Sequence, residues 1–179
     1  HWLDGRRAAT VAFERVVLDA DALVGEPLAA AAFLEPLVDR AAAALAAELV
    51  GVAAEALART VEYLKTREQF DVKLADFQAL QHRCARMFSD VERTISLVQD
   101  ALRALDEGGE DVSVLCSGAK AMASETARHV TEEALQLHGG VGMTEEEDIG
   151  LYFKRARVGA ALLGDANEHH RRIARLGGY

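Results

Sequence analysis

The sequence predicts an all-α fold, an up-down bundle of four helices preceded by a short β remnant. Three observations predict it. Half of the 179 residues are hydrophobic while only 6% are aromatic and two are proline, a composition that favours helices. Three long stretches repeat apolar residues at i, i+3, i+4 and i+7. The connections between them are short and rich in glycine or acids, and short connections make antiparallel neighbours. The length suits one domain with a real core.

Residues 1–27 do not resemble the remainder. Ala8 to Leu18 has strand alternation and β-branched content, and Asp19-Ala20-Asp21 and Gly25-Glu26-Pro27 are turn signals. One or two strands are not stable alone, so this stretch is expected to pair with strands outside the sequence or to lie on the helices.

A first helix is expected from about Phe33, with Pro36 in its first turn. Its stripe is Leu37, Ala41, Ala44, Leu45, Ala47, Glu48, Val52 and Leu57, and it continues to Arg67. Residues 70–74 read as a short connection. A second helix opens at Ala75 or Asp76, with Phe77, Leu80, Cys84, Met87, Phe88, Val91, Ile95, Val98, Leu102 and Leu105 on one broad face. Residues 106–111 form a turn. The third helix runs from Val112 through Ala119, Met122, Ala123, Thr126, Val130, Ala134 and Leu135. Four acids, Glu145 to Asp148, stand at the start of a fourth helix and suit its dipole. A last helix covers about Asp165 to Leu176.

The net charge of −9 argues against nucleic acid, since phosphate contacts need clustered Lys and Arg. No apolar run is read as a membrane span, and the first seven residues lack the apolar core of a leader. Cys84 and Cys116 read as buried free thiols in a reducing, cytoplasmic setting. The six histidines are scattered apart from His169-His170, and no metal site is expected.

The third helix breaks at Gln136-Leu137-His138-Gly139-Gly140-Val141-Gly142. Three glycines in four positions allow φ > 0, close approach of a ligand and free N–H groups for an anion. Gln136 and His138 are expected to point into the same space. The arrangement suits a dinucleotide pyrophosphate, and it equally suits an ordinary glycine stop. Thr66-Arg67-Glu68-Gln69-Phe70 ends the first helix. Arg67 is a fork of donors suited to pyrophosphate and Phe70 can stack on an aromatic ring; alone, they are also a solvated Arg and a core Phe.

Taken together, Arg67-Glu68-Gln69-Phe70, Phe77-Gln78 and the Gln136–Gly142 loop, in this order and spacing, resemble the acyl-CoA dehydrogenase family. Tyr152-Phe153-Lys154-Arg155-Ala156-Arg157 continues the pattern. The resemblance covers about residues 8–179. It implies that residues 1–27 are the terminal strands of that family's middle β-domain, that residues 28–179 are its C-terminal helical domain, and that the rest of the enzyme is missing.

The family's enzymes are FAD flavoproteins that remove two hydrogens from the α and β carbons of an acyl-CoA thioester. A carboxylate takes the α proton and the flavin takes the β hydride. They assemble through the C-terminal helices, as homo- or hetero-oligomers. By this resemblance Arg67, Gln69 and Phe70 contact the adenine and pyrophosphate end of an FAD held mainly by a neighbouring subunit, and Gln136, Gly139 and Gly140 contact the same FAD.

Two departures stand out. The usual base, in a Glu-Gly-Thr triplet, falls on Leu163-Gly164-Asp165. The base of a second group falls near Ala41, with Asp39 and Glu48 the nearest acids. Leucine and alanine cannot abstract a proton, so no catalytic residue is assigned. Asp165 replaces a threonine that helps hold the chain's own FAD; a carboxylate roughly 5 Å from a pyrophosphate would cost about 3 kcal/mol at an effective dielectric of about 20. Asp71 stands where the family has glycine. The expectation is a non-catalytic subunit that completes a partner's FAD site, as in mixed sterol side-chain enzymes of the family. The alternatives are a cofactor-free helical oligomerisation module, whose sign would be Arg67 or Gln136 buried in structural hydrogen bonds, and a stand-alone four-helix binding protein.

Overall fold

The computed structural model describes residues 1–26 and 29–179. In order it contains α1 (Ala30–Thr66), a hairpin of β1 (Glu68–Gln69) and β2 (Val72–Lys73), α2 (Gln78–Glu107), α3 (Val112–His138), α4 (Ile149–Ala161) and α5 (Ala166–Leu176). The expected helical bundle is present.

Its up-down course follows from side-chain pairings. α1 and α3 run parallel, because Asp39 meets Ser113 near their beginnings and Tyr63 meets His138 at their ends. α2 runs against α3: Arg83 pairs with Glu133, and Thr94 with Thr126. α4 runs against α1, with Arg59 over the Tyr152 ring and Glu48 bound by Arg155. α3 is the central helix and packs on α1, α2, α4 and α5. It is the most buried helix for that reason, with Cys116, Ala119, Ala123, Ala127, Val130 and Ala134 in the core, and Glu125, Arg128, His129 and Gln136 on its exposed edge.

α1 has 37 residues and is about 55 Å long. Pro36 lies seven residues in, not in the first turn, because the alanines before it extend the helix. Proline's fixed φ is helical, and the bond it forgoes is the one to Ala32. The buried stripe of α1 is also rotated from the expected one. Ala42, Ala43, Leu45, Ala46, Leu49, Val50, Ala53, Ala56, Leu57 and Leu64 are buried, whereas Leu37 and Ala44 are exposed. In an alanine-rich helix every face is similarly apolar, so periodicity fixes the buried side poorly. For the same reason Ala32–Thr66 is long and apolar enough, by length and composition, to cross a membrane. That corrects the expectation of no such run. Half of its apolar window is buried inside the protein, as expected of a helix that packs one face on the bundle core.

On α2 the buried stripe is Met87, Val91, Thr94, Val98 and Ala101, narrower than the face expected; Phe88 and Leu102 are exposed. Thr94 was not expected in the core. Its hydroxyl bonds the Asp90 carbonyl and Thr126 Oγ1, which satisfies it there. The acids Glu145–Asp148 precede α4, with Asp148 as its N-cap residue.

Residues 1–26 form no strand. Val11, Phe13, Val16, Val17 and Leu18 are exposed, and no ladder partner for them exists among the described residues. The turn reading at Pro27 and the boundary between residues 27 and 28 lie outside the described residues. The first residues are tied to the bundle through charge: Arg155 donates to Asp4 at 3.0 Å, and Arg6 lies 3.5 Å from Glu48.

Candidate functional site

The stretch expected as a short connection after α1 is a tight hairpin. Glu68 pairs with Lys73 and Gln69 with Val72, leaving Phe70 and Asp71 as a two-residue turn. Both have positive φ, 58° and 64°. Such turns favour glycine and asparagine, and Phe-Asp carries no such signal, so the hairpin was not legible. The turn throws Phe70 outward, 85% exposed, with its ring edge against Phe77 at 6.3 Å. Arg67 and Gln69 are exposed beside it.

At the end of α3, Gln136, Gly139 and Gly140 are exposed. His138 is not beside Gln136. It is 4% exposed, its Nδ1 lies 2.8 Å from the Ala134 carbonyl, and its ring stacks on Tyr63 at 4.4 Å. Two residues on a helix diverge by about 200°, so the expectation that both face one space fails. The glycine segment is not an open cradle of free N–H groups either. Gly139, at φ +64°, donates its N–H to the Gln136 carbonyl, and residues 139–143 close into a 3₁₀ turn. Gly142 is needed for close packing, since a Cβ there would stand 2.9 Å from His138 Cβ.

The two motifs meet because α1 and α3 end together. Tyr63, one turn before Arg67, donates its hydroxyl to the His138 carbonyl at 3.2 Å. Sequence reading passed over Tyr63; its signal was its place one turn ahead of Arg67. Neither Arg67 nor Gln136 has a side-chain hydrogen bond or ion pair with any described residue. A structural role for them in the bundle is therefore not what the geometry displays.

The other end of the bundle is closed as regards its buried polar side chains, most of which bond within the chain, while pockets of about 370 and 530 Å³ lie beside Asp165 and Leu163. Leu163 is exposed at φ +58°, next to Gly164 at φ +96°. Asp165 is the N-cap of α5, its Oδ1 accepting from the Glu168 N–H at 2.8 Å. The carbonyl of Gly164 accepts from Lys120, whose buried ammonium also donates to Ser124 Oγ at 2.8 Å and to the Ala160 carbonyl at 3.3 Å. Burial pushes the Lys120 ammonium down to about 8, with Asp165 opposing. A lysine on an alanine-rich face gave no warning of this. His169, 3% exposed, bonds the Leu163 carbonyl through Nε2 at 3.0 Å, and burial lowers its pKa.

The acids nearest Ala41 are committed elsewhere. Asp39, 3% exposed, accepts from Ser113 Oγ at 2.6 Å and from Arg172, which also reaches Ser117 Oγ at 2.8 Å. Glu48 is gripped by Arg155, which holds its carboxyl below the usual range and so lowers its proton affinity. A base needs the opposite. Cys84 and Cys116 are free thiols, and burial raises both, Cys116 to about 11.

The helical architecture is that of an acyl-CoA dehydrogenase's C-terminal domain. The family model described as "Acyl-CoA dehydrogenase, C-terminal domain" matches residues 32–177, and the chain belongs to the acyl-CoA dehydrogenase family. It is 42% identical over 137 residues to the acyl-CoA dehydrogenase IpdE2 of Mycolicibacterium smegmatis, covering 76% of this chain and 42% of that relative. The chain thus spans less than half the length of that curated relative. Among solved structures, a variant of the Tcur3481-Tcur3483 steroid ACAD is 35% identical with a TM-score of 0.77, over 80% of this chain and 40% of the other. Butyryl-CoA dehydrogenase from Megasphaera elsdenii is 29% identical with a TM-score of 0.89, over 93% of this chain and 43% of the other.

Proposed function

We propose that the chain acts within an acyl-CoA dehydrogenase as the non-catalytic subunit, completing an FAD site whose base lies on a partner. One contrast carries the reading. The groups that would face a neighbour's cofactor are exposed, with the Arg67 and Gln136 side chains unbonded to any described residue and the Gln69 amide bonded only to the adjacent Glu68 carbonyl, whereas both base positions are apolar and the carboxylates near Ala41 are in ion pairs.

The residues at the end of α1 and α3 fit FAD. Arg67 offers a guanidinium for the pyrophosphate, Phe70 an open ring for the adenine, and Gln136 a carboxamide. Space in front of the glycines is open: a Cβ on Gly139 or Gly140 would meet nothing within 4 Å. FAD, when bound, supplies the two-electron acceptor for α,β-dehydrogenation of an acyl-CoA. The part of this chain is to bind and orient it. The Leu163-Gly164-Asp165 corner fits a second FAD poorly, because the Asp165 carboxylate caps α5 and would repel a pyrophosphate.

The acyl group we infer is steroid-derived, supported by the likeness to a steroid ACAD. That enzyme's two-part designation also supports a mixed assembly. An apolar groove of about 690 Å³ between α1 and α2, lined by Leu57, Val61, Phe88 and Ile95, supports association through the helices. The same groove favours the second reading, a cofactor-free oligomerisation module.

The visible spectrum separates them. The gene product carrying this chain is purified alone and again with a co-expressed acyl-CoA dehydrogenase partner. Colourless protein alone and flavin absorbance in the mixed complex are expected. Stoichiometric FAD and acyl-CoA oxidation by the product alone would defeat the accessory reading. A flavin-free mixed complex would leave the oligomerisation module.

A further inference from the structure

We infer that Tyr63 is a positioning residue that holds the two halves of the cofactor edge in one register. The inference rests on the reading of that edge as an FAD contact.

Tyr63 joins main chain on both sides. Its carbonyl accepts the Arg67 N–H at 2.9 Å and so closes the last turn of α1. Its hydroxyl donates at 3.2 Å to the carbonyl of His138, the residue immediately before Gly139. Its ring lies on the His138 imidazole, 4.4 Å between centroids and 22° from parallel. His138 is fixed on its other sides, by Nδ1 against the Ala134 carbonyl at 2.8 Å and by the tight approach of Gly142.

Tyr63 is half-buried and its hydroxyl proton is committed, so it acts on a ligand only through Arg67 and the glycine turn. Those two groups are contributed by helices 75 residues apart at the Tyr63–His138 contact. A ligand that bridges them needs both at a set separation, and a displacement of about 1 Å is enough to cost most of the benefit of preorganised groups. Residues 67–73 and Gly139–Gly140 are exposed, and the Tyr63–His138 contact is the observed hydrogen bond that ties them together.

The test is an FAD titration of the mixed complex, followed by flavin fluorescence, for Tyr63→Phe, Arg67→Ala and the double variant. Tyr63→Phe keeps the stacked ring and loses one hydrogen bond. FAD binding roughly fivefold weaker is expected. The double variant should bind FAD as Arg67→Ala does, because the tether acts through Arg67; a purely structural tyrosine would lower the melting temperature and leave FAD affinity unmoved. If Arg67→Ala weakens FAD and Tyr63→Phe does not, the positioning role is overturned and the cofactor edge stands. If neither variant changes FAD binding, the cofactor edge itself is wrong and the role falls with it.

Discussion

The two ends of the bundle use polar residues in opposite ways. Where α1 and α3 begin, Asp39, Ser113, Ser117 and Arg172 bond one another, and Lys120 closes on Ser124, Ala160 and Gly164. Every one of these side chains answers to another group in the same chain. Where α1 and α3 end, Arg67, Gln69, Phe70, Gln136, Gly139 and Gly140 face outward. A buried polar group must find its partner inside the fold, whereas an exposed one is satisfied by water until a ligand replaces it. The closed end therefore explains the chain's own stability, and the open end is where a second molecule is to be sought. Leu163, where the resemblance places the family's usual base, lies at the closed end.

The sharpest way to break the comparison is Asp39→Ala. It leaves the Arg172 guanidinium largely buried without its carboxylate, and a loss of about 4 kcal/mol in urea denaturation is expected. A loss below about 1 kcal/mol would mean that the closed end is held by packing alone.

Lys120 sharpens it through pH. Its folded pKa is about 8, and its unfolded one near 10.5. Below both values each state carries the proton. Between them the unfolded chain binds more, so the lysine's contribution to stability rises with pH. The stability of the wild type relative to Lys120→Met should rise by about 2 kcal/mol from about pH 8 to about pH 10. A difference independent of pH would show an unperturbed lysine.

At the open end the effects should fall on binding instead. Arg67→Ala should weaken FAD in the mixed complex by roughly tenfold or more, the worth of a charge-assisted hydrogen bond, with little change in melting temperature. A large loss of stability with unchanged binding would reverse the assignment of the two ends. Asp165→Ala removes the α5 cap and should cost about 1 kcal/mol, while Asp165→Asn retains the capping oxygen and should cost less. The smallest expected effect is that of Leu163→Glu. It should leave the flavin content of the mixed complex unchanged, because Asp165 and its cap remain.

Much of the open end is legible in the sequence. Arg67, Gln69, Phe70, Gln136 and the glycines stand in contiguous motifs whose chemistry shows in their residue types. The closed end is not. Lys120 is a single charge between alanines, Asp39 stands beside Arg40, and Arg172 closes the basic run His169–Arg172, so nothing local marks any of them as buried. His138 is misplaced by the sequence for a related reason. Its near neighbour Gln136 looks like a companion, yet the helix turns them apart and Tyr63 claims the histidine.

By itself the sequence determined the helices, their order and the glycine breaks after α2 and α3, because helix propensity and glycine stops act over a few residues. Tertiary structure decided which face of the alanine-rich α1 is buried, that residues 68–73 fold as a hairpin, and which polar groups are committed. These depend on groups far apart in the chain, such as Asp39 with Arg172 and Tyr63 with His138. No local pattern encodes such a partner; only packing the helices together brings it within bonding distance.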